Sequence, residues 1–372
     1  MKTNKIAWLP GDGIGIEVLE AAKIVLDKIG FKAEYTHGDI GWEFWCKEGD
    51  ALPQRTMDLL KNSDAAMFGA ITSKPVKDAE KELVPELQGK KLVYRSPIVR
   101  MRQSFDLYNC LRPTKAYIGN PLNFKDDIDI VVFRENTEDL YCGVEFNQVP
   151  EELSSLLTKI SPPFAKFKDL KPEEFSISTK INTRLGCEKI ITAAFDFARK
   201  HNRKKVTIVH KANVVRATDG LFLEVGKEVA KNYPEIQFDE GNIDAMTMWL
   251  LKNPERYDVL VAPNLYGDII SDLCAQMVGG LGFACSGNIG NELAVFEPTH
   301  GSAPKYAGQY KVNPLATILA AKMMLDWLGE IEMGERIEKA VAEVIAEGKV
   351  RTYDMGGNAT TIDMANSVAE KL

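Results

Sequence analysis

Histidine is scarce in this chain, cysteine is scattered, and no long apolar run occurs. Four histidines among 372 residues argue against a histidine-built metal centre. The six cysteines, Cys46, Cys110, Cys142, Cys187, Cys274 and Cys285, include no Cys-x-x-Cys pair. They read as reduced thiols, not as disulfides or a zinc site, so any metal here is a hard cation bound by oxygen. No apolar stretch approaches the roughly 18 residues of a membrane span. The opening Met1-Lys2-Thr3-Asn4-Lys5 leads straight into an apolar strand, without the apolar segment and small-residue cleavage site of a secretory signal. The expectation is a cytoplasmic protein with no membrane partner. Basic residues are in deficit, with 46 Lys+Arg against 53 Asp+Glu and a formal net charge of −7. General nucleic-acid binding is therefore not expected, and an anionic ligand needs a local cluster of cations.

Two nucleotide signatures are also missing. Pro10-Gly11-Asp12-Gly13-Ile14-Gly15 stands between a strand and a helix. It lacks the Gly-Lys-Ser/Thr ending of a triphosphate loop, and its glycines are not spaced as Gly-x-Gly-x-x-Gly. It reads as a tight turn. A dinucleotide, if bound, sits elsewhere, with 282–290 and the Thr299-His300-Gly301-Ser302-Ala303-Pro304-Lys305-Tyr306 stretch as candidates.

Strand and helix patterns alternate from the start. Residues 6–9, 33–37 and 65–68 read as strands, and 14–29 and 53–61 as helices, a rhythm that predicts an α/β sheet covered by helices. The run Ile128-Asp129-Ile130-Val131-Val132-Phe133 is a strong strand, and 206–209 and 259–262 are further strands. Helices are expected over 187–199 and 221–229. Residues 142–178, with Pro150, Pro162, Pro163 and Pro172 and a strand-like piece at 175–180, read as an irregular inserted arm. Two amphipathic helices are expected near the end, at 314–328 and 334–347. Packing of these on the first sheet would make one large domain from 1–107 and 279–372, with 108–278 as a second, smaller one.

Several segments carry candidate chemistry. In Tyr266-Gly267-Asp268-Ile269-Ile270-Ser271-Asp272, the aspartates stand four apart and share a helical face. That spacing suits a divalent cation and equally a helix cap plus an exposed acid. Asp244 reads as a third ligand or another cap. Arg95, Arg100, Arg102 and Arg112 crowd one stretch, and Arg134 ends the 128–133 strand. Guanidinium forks suit a di- or tricarboxylate, while a solvated basic face is the alternative. Tyr141 follows a polar loop and suits proton transfer or half-buried packing. Lys211 follows a strand and suits anion binding, a desolvated base or a solvated end.

In order, these segments resemble the decarboxylating isocitrate, homoisocitrate and 3-isopropylmalate dehydrogenases from Pro10 to Gly357. The most specific pieces are Asp106-Leu107-Tyr108, Leu111-Arg112-Pro113, Arg134-Glu135-Asn136-Thr137-Glu138, Asn264-Leu265-Tyr266-Gly267-Asp268 and Glu297-Pro298-Thr299-His300-Gly301-Ser302-Ala303-Pro304. The resemblance implies that family's two-domain, non-Rossmann α/β fold and a homodimer with shared active sites. The 142–178 arm would be its inter-subunit clasp. It implies that Arg102, Arg112 and Arg134 grip a polycarboxylate substrate and that Asp268 and Asp272 bind Mg²⁺ or Mn²⁺. Asp244, Lys211 and Asn213 would come from the other subunit, and Tyr141 from the same one. Lys211 would take the hydroxyl proton and Tyr141 would protonate the enol carbon.

Ser96, in Arg95-Ser96-Pro97-Ile98, suits a carboxylate where isopropylmalate enzymes often place leucine. Isocitrate enzymes often have asparagine where Ile98 stands, and a Ser-Pro-Ile stretch resembles some homoisocitrate enzymes. Isocitrate is the expected substrate, homoisocitrate or 3-isopropylmalate the alternatives; Ser96 also suits a helix cap. Lys305 stands where NAD-specific relatives have aspartate and can pair with the 2′-phosphate of NADP. With Tyr306 and Tyr353 it resembles an NADP pocket, although Gly357 replaces the expected arginine, so NAD use stays open. Thr72 matches a position near the nicotinamide, and His300, Gly301, Asn313 and Asp354 match positions around the adenosine. A non-catalytic regulatory subunit tends to lose the residues that are intact here at 141, 211, 244, 268 and 272. An anion-binding protein without redox chemistry is the remaining alternative.

Overall fold

The computed structural model describes residues 3–372, the side chains of Val76 and Lys77 excepted. Met1 and Lys2 of the opening segment lie outside it. Ten strands form one sheet: β1 (Asn4–Gly11), β2 (Ala33–His37), β3 (Ala65–Ala70), β4 (Asn109–Lys115), β5 (Asp129–Glu135), β8 (Lys205–His210), β9 (Gln237–Asn242), β10 (Val259–Ala262), β11 (Cys285–Ile289) and β12 (Ala294–Pro298). The two-residue strands β6 (Glu145–Phe146) and β7 (Ile177–Ser178) pair separately in the arm.

The large sheet has the order β2-β1-β3-β12-β11-β4-β5-β10-β8-β9. Its two wings, β2-β1-β3-β12 and β5-β10-β8-β9, are parallel within themselves. Between them β12–β11, β11–β4 and β4–β5 are antiparallel. Three reversals leave the wings running in opposite directions, and Arg112 and Arg134 fall at this centre.

Helices cover both faces of each wing. The first wing packs on one side against Gly15–Lys28, Leu315–Trp327, Ile331–Glu347 and Thr361–Ala369 in a core drawn from both ends of the chain. Leu9, Phe68, Met101 and Val295 fill its other face. On the second wing, Arg184–Lys200 and Thr218–Ala230 cover one side, Ile243–Lys252 and Asn264–Met277 the other. Burial on both faces explains the unbroken apolar strands such as Val259–Ala262.

Two expectations need correction. The 142–178 stretch is not irregular: it contains the helix Glu151–Ile160, whose Leu153, Leu156, Leu157 and Ile160 repeat at helical spacing. Pro150 occupies the N-cap of that helix, where the missing N–H costs nothing, so the prolines bound it without breaking it. The strand-like piece shrinks to Ile177–Ser178. The Leu315–Trp327 helix is also not amphipathic. From Leu315 to Leu325 every residue but Lys322 is buried, because the helix lies between the sheet and the outer helices. All six cysteines are free thiols. Among the described residues, no helix is long and apolar enough to cross a membrane.

Candidate active site

Three guanidinium groups meet at the centre of the sheet. Arg112 stands on β4, Arg134 near the end of β5, and Arg102 on the helix Pro97–Ser104. All are buried, Arg134 to 1% exposure, and burial of that much charge demands counter-ions. The Asn264–Met277 helix supplies them. Arg134 donates from Nε to Asn264 Oδ1 at 2.9 Å and also to the Asp268 carboxylate. Arg112 Nη1 reaches Asp268 and Asp272, each at 3.2 Å, and Ser271 Oγ at 2.7 Å. One guanidinium touching both aspartates confirms the shared helical face. Gly267 permits this approach, since a Cβ there would come within 2.6 Å of Arg134 Cβ.

Arg102 is held from the other side, by Asn288 Oδ1 at 2.9 Å and Glu297 Oε1 at 3.3 Å. Asn136 Nδ2 shares Asn288 Oδ1 at 3.0 Å. Burial and the neighbouring charges of Arg102 and Arg112 lower the pKa of Arg134. Arg112 Nε is buried without a partner. A cleft of about 170 Å³ opens here, lined by Ile71, Ile98, Arg102, Arg112, Glu297 and His300 among others.

Tyr141 joins the same cluster. Its hydroxyl donates to Asp268 Oδ2 at 2.6 Å, and its ring lies 4.9 Å from the Arg134 guanidinium carbon. Burial, then the bond to Asp268, raises its pKa, so it keeps its proton at neutral pH. Burial would raise the Asp268 pKa, but Arg134 and Arg112 outweigh it and the carboxyl titrates below its ordinary value. At Asp272 burial prevails over Arg112 and raises the pKa. Two carboxylates at this spacing are hard oxygen donors of the kind Mg²⁺ or Mn²⁺ takes.

Lys211 and Asp244 form a separate pair. Lys211, just beyond β8, binds Asp244 through Nζ, and Asp244 lies in the first turn of Ile243–Lys252. Asn213 is exposed in the same loop. Among the described residues, no three acidic, cysteine or histidine side chains converge as a metal set within one chain. One chain brings Asp268 and Asp272 together and holds Asp244 with Lys211.

The expected cofactor residues fall into two groups. Thr72 follows β3; its hydroxyl lies 2.6 Å from Ser302 Oγ, and its N–H donates to Asp12 at 2.8 Å. Asp12 also accepts from Trp42 N at 2.8 Å. The glycine loop is thus a junction, and a Cβ on Gly11 (φ +69°) would lie 1.9 Å from Ala70 O. His300 and Gly301 line the cleft, and burial lowers the His300 pKa. Further out, the rings of Tyr306 and Tyr353 meet at a tilt of 40° with centroids 5.5 Å apart. Lys305 Nζ lies 4.8 Å over Tyr306, and Lys311 Nζ 5.1 Å over Tyr353. Asn313 Nδ2 donates to Asp354 Oδ2 at 3.0 Å, and Asn313 Oδ1 accepts from Leu315 N at 3.0 Å. A side chain at Gly357 is excluded, because a Cβ would lie 2.1 Å from Arg351 O.

Ser96 is the N-cap of Pro97–Ser104, but its side chain makes no capping bond. Sequence reasoning missed Glu297, Asn288, Asn264, Ser271 and Lys311. Glu297, Asn264 and Ser271 stand inside the family's motifs, yet nothing local marks them as partners of arginines far along the chain. Lys311 becomes visible only when the loop folds it over two aromatic rings.

The isocitrate/isopropylmalate dehydrogenase family model matches residues 5–368. The chain is 42% identical to the 3-isopropylmalate dehydrogenase of Archaeoglobus fulgidus, over 99% of both chains. It is 40% identical to the homoisocitrate dehydrogenase of Methanocaldococcus jannaschii, over 98% of this chain and 96% of that one. It also matches Legionella pneumophila protein DlpA at 40% identity over 98% of its own length, spanning 58% of that longer protein. The crystal structure of isocitrate dehydrogenase from Methylococcus capsulatus superposes with a TM-score of 0.86 at 38% identity, covering 99% of each chain. With the fold, the family model and relatives across its full length in agreement, the chain belongs to the isocitrate/isopropylmalate dehydrogenase family of decarboxylating 2-hydroxy acid dehydrogenases.

Proposed function

We propose that this enzyme oxidises and decarboxylates isocitrate to 2-oxoglutarate and CO₂, preferring NADP, as a homodimer with shared active sites. Its lobes would be 1–107 with 279–372 and 108–278. The observation that carries the reading is the set of three buried arginines, two of them bonded to the helix of Asp268 and Asp272, with Tyr141 on the same carboxylate.

Arg102, Arg112 and Arg134 bind the substrate carboxylates and orient its carbinol carbon. Ser96, with a hydroxyl uncommitted to capping, meets the carboxylate that distinguishes isocitrate from isopropylmalate. Asp268 and Asp272, with Asp244 of the partner subunit, are the oxygen ligands of Mg²⁺ or Mn²⁺. When bound, the metal supplies Lewis acidity for deprotonation and decarboxylation, and the nicotinamide supplies the hydride acceptor. Lys211 Nζ takes the hydroxyl proton as the neutral amine, after its own proton has left. Tyr141 Oη, which retains its proton at neutral pH, delivers it to the carbon left by CO₂.

Lys305, Lys311, Tyr306 and Tyr353 support NADP. Two ammonium groups beside two phenols suit a phosphate monoester, and Lys311 offsets the arginine that Gly357 excludes. Ile98 on the cleft wall favours homoisocitrate as the second reading, because an apolar wall accommodates an added methylene. The test is reduced-cofactor formation with Mg²⁺, offering isocitrate, homoisocitrate and 3-isopropylmalate with NADP and with NAD. Isocitrate with NADP is expected to turn over fastest. Faster homoisocitrate turnover would overturn the substrate assignment, and no turnover of any substrate by folded protein would favour a regulatory subunit.

A further inference from the structure

Lys180 lies where the arm returns to the second wing, before the helix Arg184–Lys200, and its side chain is 14% exposed. Its ammonium group binds two fully buried carboxylates, Asp139 at 2.6 Å and Asp219 at 3.3 Å, and lies 5.0 Å over the Tyr266 ring. Each carboxylate spends its second oxygen on a backbone N–H of the proposed machinery. Asp139 Oδ2 accepts from Leu265 N at 2.9 Å, in the first turn of the helix bearing Asp268 and Asp272. Asp219 Oδ2 accepts from Lys211 N at 2.7 Å. Asp139 also stands two residues before Tyr141 and holds φ +68°, a conformation that a non-glycine residue keeps only when its surroundings enforce it. Its N–H donates to Ile181 O at 2.7 Å, so the segment carrying Lys180 clamps it by main chain and side chain together.

One cation therefore fixes both groups of residues at once: Tyr141 with the aspartate helix, and Lys211. On the shared-site reading proposed above, these groups serve different active sites of the dimer. We infer that Lys180 is a positioning residue that ties the two active sites together through the buried Asp139–Lys180–Asp219 triplet. A lost ammonium would leave two buried carboxylates repelling each other, and the displacement would reach a different group in each site.

The test uses a purified heterodimer in which one subunit carries Tyr141→Phe and the other Lys211→Met. Shared sites give one doubly damaged and one undamaged site, hence about half the wild-type turnover. No recovered activity would overturn the shared-site reading and the inference with it. Lys180→Met is then placed in either subunit of this heterodimer. The inference expects kcat to fall about 10- to 100-fold in both placements, with the NADP KM unchanged and most activity restored by Lys180→Arg. A loss in one placement only, or in neither, with wild-type far-UV circular dichroism, would overturn it. Where Lys180→Met yields no folded dimer, Asp219→Asn keeps the Lys180–Asp139 pair. It is expected to lower turnover from the subunit that donates Lys211; unchanged turnover there would overturn the inference.

Discussion

In the proposed NADP pocket, Gly357 leaves no room for a cation and Lys311 offers one. The main chain at Gly357 runs too close to Arg351 O for any Cβ, so a cation cannot stand there, and Lys311 reaches the same tyrosine pair from a different segment. Lys305→Asp is expected to lower kcat/KM for NADP by about 100-fold, the value of a charge-assisted hydrogen bond lost and a repulsion gained. Lys311→Ala should cost about 10-fold on the same scale, with NAD kinetics unchanged for both. Equal losses with NAD would remove these lysines from phosphate recognition. At the substrate end, Ser96→Leu is expected to lower kcat/KM for isocitrate by about 100-fold and to raise that for 3-isopropylmalate, read by comparing the two substrates.

The loop after β8 is expected to respond to pH. His210 is buried and its Nδ1 accepts from Ala212 N at 3.0 Å, a bond that only the neutral ring can make. Burial lowers its pKa, with Glu240 and Asp219 opposing and Lys227 adding to the shift. A depressed histidine contributes stability that is complete above the unfolded value of about 6.5 and is lost as pH falls through the folded one. Urea midpoints measured between pH 8 and 5 should fall on the acid side, and His210→Asn, which keeps an acceptor, should flatten that decline. The Leu315–Trp327 helix makes a second test. Leu325 is fully buried, and Leu325→Ala should cost about 2–5 kcal/mol of unfolding free energy in urea titrations. This helix and the arm also mark where sequence patterns mislead. The period of a helix is visible, but burial on every side depends on neighbours contributed by distant segments. Strands such as Val259–Ala262 were legible because burial on both faces leaves an unbroken apolar run. The aspartate pair and the arginines were legible as residue types in motifs. The partners of Arg102, Asn288 and Glu297, were not, nor was Lys180 as the partner of Asp139 and Asp219, because nothing local records a contact made between distant segments.

On the shared-site reading proposed above, activity depends on protein concentration. Specific activity is expected to fall on dilution below the dimer dissociation constant and to return on reconcentration; a specific activity constant through full dissociation would contradict shared sites. Chelation of divalent cations should abolish turnover while leaving NADP binding, followed by fluorescence, within about 3-fold, since the lysine–tyrosine pocket uses no metal ligand. The sheet order has a further consequence, for the order of folding. β3 finds its second neighbour only in β12, pairing Ala66 with Val295, whereas β4, β5, β8, β9 and β10 all lie within residues 109–262 and are complete before β12 is made. During synthesis the second wing can therefore assemble first, while the opening strands wait with an unpaired edge for β12 to emerge. That interval, when β3 has one side bare, is when the nascent chain is most exposed to aggregation through strand pairing.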